Sequence, residues 1–87
     1  MSTQVLQLHN LAELMSEMAA RAIDPSLRSE HETDAVMYGK LIVLDGIAES
    51  VWMGETLPEE EETLLYFAQE RLDRAWTRLE DLVFPNT

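Results

Sequence analysis

The chain contains no cysteine, which excludes a disulfide scaffold, a thiolate metal site and a cysteine nucleophile. Basic residues are scarce: six lysines and arginines stand against seventeen acidic residues, for a net charge of -11. Such an imbalance disfavours direct binding to nucleic acid or to an anionic membrane, and makes a basic protein the natural partner. Histidine occurs only at His9 and His31, neither with a histidine or cysteine at i+3 or i+4, so no metal pair forms within a helix. Neither a G-x-S-x-G elbow nor a phosphate-binding loop is present. The opening MSTQVLQLHNLAEL has no basic n-region and no small-residue cleavage pattern, so it does not read as a secretory signal, and the expected compartment is a cytoplasm. No alternating strand pattern, internal repeat or low-complexity tract competes with the helical periods described next.

What is present is one domain's worth of chain, 87 residues with 46% apolar content, enough for a single modest core. The expected fold class is all-α: a three-helix antiparallel, up-down-up bundle, or a helical hairpin, with helices near 3–23, 29–53 and 57–84. In the first helix Val5, Leu8, Ala12, Met15, Ala19 and Ala22 form an a/d seam, broadened by Leu11, Leu14 and Met18. Asp24-Pro25-Ser26 ends it, because proline breaks the hydrogen-bond ladder and disfavours helix in the residue before it. Ser29 and Glu32 match a capping box for the second helix. Gly54 reads as its C-cap. A second box at Thr56 opens the third helix, where Leu65, Ala68, Leu72, Ala75, Leu79 and Leu82 repeat the seam and Phe84-Pro85-Asn86 closes it.

The central stretch, AVMYGKLIVLDGIAESVWM at 35–53, is apolar over roughly half its circumference, wider than a surface helix requires. The breadth predicts a central helix covered from more than one side. Lys40 falls within the apolar arc, where its stem is expected to lie on the core with the ammonium reaching solvent or a carboxylate. Gly39 and Gly46, seven residues apart, share a face with Ser50, and each glycine costs a helix about 1 kcal/mol relative to alanine. These three residues are the candidates for self-association, as a groove that lets another helix approach closely. A homodimer through leftover apolar surface is the matching alternative architecture. Lys40, Asp45 and Glu49 argue against a membrane span.

Two acidic groups are candidate partner-binding sites. Glu59, Glu60, Glu61 and Glu62 point around most of a helical turn, more than complementing the helix dipole requires. Tyr66, with Phe67 beside it, follows this run and is expected to be exposed as an aromatic contact. Glu30, Glu32 and Asp34 form the second group, at the opposite end of an up-down-up bundle. Either group is able to dock on a lysine- or arginine-rich surface, presenting carboxylates where phosphates would go.

These features lead to an expected non-enzymatic, inhibitor-like binding module that blocks a basic, nucleic-acid-binding type of surface on another protein. No catalytic residue, cofactor or metal is expected. The alternative is a homodimeric adaptor or secretion-type chaperone that works through its apolar face, with charge serving solubility. The third is a divalent-metal phosphohydrolase built on Glu13-x-x-x-Glu17 or Glu70-x-x-Asp73. On helical phase Glu70 and Asp73 face solvent, and the inward Glu-x-x-His pattern of carboxylate metal bundles is missing. Size and acidity are shared with phage-encoded inhibitors of host defence, DNA mimics and secretion chaperones, a likeness of composition that carries no motif.

Overall fold

The seam of the third helix meets apolar faces on both of the others. The computed structural model describes residues 3–54 and 56–85, with side chains from Gln7 onward. It contains α1 (Thr3–Ile23), a 3-10 turn (Pro25–Leu27), α2 (Asp34–Gly54) and α3 (Glu59–Val83), arranged as a three-helix bundle without strands among the described residues. The core is Leu8, Ala12, Met15, Met18, Ala19 and Ala22 from α1, Met37, Leu41, Leu44 and Ala48 from α2, and Leu65, Ala68, Leu72, Ala75 and Leu79 from α3. Val5, expected in the α1 seam, lies outside the described side chains. The alanines of α1 and α3 let those two helices share the most extensive interface, whereas α1 and α2 share the least. Extents of 45 × 26 × 16 Å describe a flattened bundle.

Several expectations about the helices need correction. α2 packs on both neighbours but is the least covered helix and not the central one: only Met37, Leu41, Leu44 and Ala48 of its wide arc are buried, with Val51 and Trp52 partly covered, while Val36, Val43 and Ile47 stay exposed. α3 is instead the helix that packs extensively on both neighbours. The α3 seam also ends one position early, with Leu82 58% exposed. A strict heptad seam rotates by about 20° per heptad on a straight helix, enough to carry its last member off the contact.

Another correction is the start of α2, which falls at Asp34 instead of residue 29. Thr33 is the working N-cap, its Oγ1 accepting from Val36 N at 3.3 Å and its carbonyl from Met37 N at 2.9 Å. Half of the anticipated Ser29 box does form, since Ser29 N donates to Glu32 Oε1 at 2.9 Å, but it closes a turn and not a helix. At α3 no side-chain cap forms; Pro58 precedes the first turn and its carbonyl accepts from Glu62 N at 2.9 Å. Gly54 is the last residue of α2 and does not take the left-handed conformation of a glycine C-cap.

Arg28 joins α1 to α2. Its guanidinium donates to the carbonyls of Arg21 and Ala22, each at 2.7 Å, and to Asp34 Oδ1 at 2.6 Å. Carbonyls left unpaired by the end of α1 are thereby satisfied, and the cation sits at the negative end of the helix dipole. Asp24 braces the connection by accepting from Ser26 N and Ser26 Oγ, which lowers its pKa, the hydroxyl contributing most.

Candidate functional site

The first turn of α3 carries Glu59, Glu60 and Glu62 to solvent, and none of the three pairs with a base among the described residues. Glu61 turns inward on the helical phase, is half-buried, and approaches His9 Nε2 at 3.9 Å. Tyr66 and Phe67 follow on the outer side of α3, 59% and 54% exposed, with ring centroids 5.8 Å apart in an edge-to-face arrangement. Here the structure brings together what the sequence placed in one run: unpaired carboxylates beside two exposed aromatic rings. Further along the helix Glu70 pairs with Arg74 at 2.7 Å, the i, i+4 pair that the spacing allows.

The second acidic group is dispersed by the fold. Glu30 is exposed, but Asp34 pairs with Arg28, and Glu32 is buried, its side chain 4% exposed. Its carboxylate accepts from Lys40 Nζ at 3.0 Å and from Arg21 at 3.4 Å, while Arg21 also binds Glu17. The backbone N–H of Ser29, followed by Lys40, holds the Glu32 carboxyl down at about 2, against the opposing cost of burial. Glu32 is therefore a structural anion and leaves the candidate docking surface. Lys40 behaves as anticipated, with its ammonium on a carboxylate at the edge of the apolar arc.

A further carboxylate pair spans α2 and α3. Gln69 donates to Asp45 Oδ1 at 3.3 Å and accepts from Trp52 Nε1 at 2.6 Å. The Asp73 carboxyl is pushed up, first by desolvation and then by the charge of Asp45. No group of three or more potential ligands among the described residues is placed to hold a metal ion.

The self-association candidates Gly39, Gly46 and Ser50 are all exposed. A Cβ added at either glycine would meet nothing within 4 Å, so no contact within the bundle requires them to be small. Ser50 Oγ donates to the Gly46 carbonyl at 3.0 Å. Beside them, between α1 and α2, an open groove of about 500 Å³ is bordered by Leu14 and Met18 from α1 and by Val36, Gly39 and Val43 from α2, with Leu44 and Lys40 between. Helical phase puts Leu14 on the flank of the α1 seam and Val36 and Val43 in the wide apolar arc of α2. The signal that separates them is the width of the apolar arc of α2, which exceeds what two small neighbours cover.

No known protein family, no curated protein and no solved structure matches the chain. No described helix is long and apolar enough to cross a membrane.

Proposed function

We propose that the protein is a non-enzymatic binding module that sets the outer face of α3 on a basic surface of another protein and blocks it. The observation that carries this reading is the juxtaposition of Glu59, Glu60 and Glu62, unpaired and exposed, with the open aromatic pair Tyr66 and Phe67. Unspent carboxylates steer a cationic partner and set its orientation, and exposed aromatic rings supply area that anchors it. Glu30 adds charge elsewhere; Glu32 and Asp34 contribute none to docking, because their carboxylates are occupied within the bundle. A basic nucleic-acid-binding surface is the class of target that this charge suits.

The test is capture of partners from cell extract by the wild-type protein and by a variant with Glu59, Glu60 and Glu62 changed to glutamine. A basic protein held at low salt, released at high salt and lost by the variant supports the reading. Partners retained equally by both proteins overturn it.

A second reading, an adaptor or secretion-type chaperone working through an apolar face, is favoured by the open groove between α1 and α2. In that case the acidic surface serves solubility, and partner capture tolerates salt.

A further inference from the structure

The groove between α1 and α2 continues onto an exposed stripe of α2. Val36, Val43 and Ile47 are 42%, 61% and 46% exposed, and at 100° per residue they share one side of the helix with Gly39, Gly46 and Ser50. No carboxylate stands in that sector of α2, and none lies among the residues that border the groove. In a chain with seventeen acidic residues this is the neutral side of an anion. The charges nearest to it cancel within the monomer: Lys40 and Arg21 are held by Glu32 and Glu17.

We propose that this face binds a second copy of the same chain, with the α2 helices of the two copies meeting over Gly39 and Gly46. The charge distribution selects the occupant. A basic partner would gain from unpaired carboxylates at the rim, as at the first turn of α3; the carboxylates beside this groove, Glu17 and Glu32, are already held by Arg21 and Lys40. A partner that is itself strongly acidic can be met only where like charges are not opposed, and a second copy is such a partner. The glycines fit the same arrangement, since each leaves open space above the helix backbone and neither is needed by the packing of the bundle. Isologous pairing repeats one neutral patch against itself, so two copies each of charge -11 place their carboxylates on the outside. The outer face of α3, with Tyr66 and Phe67, stays free in both copies.

The charge balance dictates a salt dependence opposite to that of docking on a basic protein. Screening removes the repulsion between two anions, so the dimer tightens as salt is raised. Sedimentation velocity across a concentration series, at low and high salt, tests this on the full chain. The expected result is a monomer–dimer equilibrium that shifts toward dimer at high salt. Val43→Asp opposes a carboxylate to its symmetry mate and raises the dimer dissociation constant by about 100-fold or more. Because the Val43 side chain points to solvent, circular dichroism of that variant matches the wild type, as does its melting at dilutions where both are monomers. Gly46→Leu, whose Cβ has no atom within 4 Å in the monomer, weakens the dimer as well. Replacing Glu59, Glu60 and Glu62 by glutamine leaves the Val43→Asp effect intact. A monomer at every concentration and salt overturns the proposal and leaves the groove to a different protein. A dimer indifferent to both Val43→Asp and Gly46→Leu overturns it too, by placing the interface elsewhere.

Discussion

Lys40 Nζ lies 3.0 Å from Glu32 Oε2, so the lysine in the middle of an apolar helix face is held by a carboxylate that precedes the helix. The Glu32 side chain is 4% exposed and reaches Arg21 of α1 as well, which makes this anion the electrostatic link between the first two helices. Burying a carboxylate is costly unless cations and N–H donors surround it, and Lys40, Arg21 and the Ser29 N–H supply them.

Glu32→Gln removes that anion, leaving Lys40 without its ionic partner and Arg21 with Glu17 alone. The melting temperature falls at neutral pH. Because the folded-state pKa is about 2 against an ordinary 4.5, the contribution of this group is present above the ordinary value. It is lost as pH falls from 4.5 through about 2. Thermal melts between neutral and strongly acidic pH should therefore show the wild type and the variant converging in acid. Parallel curves would mean that Glu32 is not the group that titrates.

Asp73 has the opposite sign. Its pKa is raised above the ordinary 3.8 by desolvation and by Asp45, so its contribution to stability is present below 3.8 and is lost as pH rises through the raised value. At neutral pH the charged Asp73 opposes folding. Asp73→Asn should raise the melting temperature at pH 7, by an amount tempered by solvent screening, and give no gain in acid. A lower melting temperature at neutral pH would refute this.

Leu72 is fully buried and Leu82 is 58% exposed, although both hold seam positions in sequence. Urea unfolding of Leu72→Ala should show a loss of about 2–5 kcal/mol from lost burial and the cavity left behind. Leu82→Ala should lose no more than about 0.5 kcal/mol, the range of surface substitutions. Equal losses would place Leu82 in a contact.

Gly39→Ala meets no atom within 4 Å and sits in mid-helix. It should stabilise the isolated monomer by about 1 kcal/mol through helix propensity. Denaturant melts at high dilution measure this without self-association, and a destabilised monomer would show a packing constraint at Gly39.

Much of this architecture can be read in local spacing. The a/d seam of α3 from Leu65 to Leu79 is buried throughout, and α1 behaves the same way at Leu8, Ala12, Met15, Ala19 and Ala22. The exposure of Tyr66 and Phe67 follows from their phase opposite that seam. Caps are less legible, because they depend on where a side chain is drawn. The four letters from Ser29 to Glu32 match a helix start, yet the Glu32 carboxylate also serves Lys40 and Arg21, and Thr33 begins the helix in its place. Arg28 gives no local signal of its role, since its partners are main-chain carbonyls of the preceding helix.

By itself the sequence determined the helices, their order, the core seams and the surplus of negative charge, because helical period and composition are properties of short stretches of chain. Only the tertiary structure decided which carboxylates stay free at the surface and which are spent inside it. The same holds for which helix packs most extensively on both neighbours, α3 and not α2, and for the side of α2 left uncovered. Those outcomes depend on which helices approach closely: α1 packs most extensively on α3, and Val36, Val43 and Ile47 of α2 stay exposed.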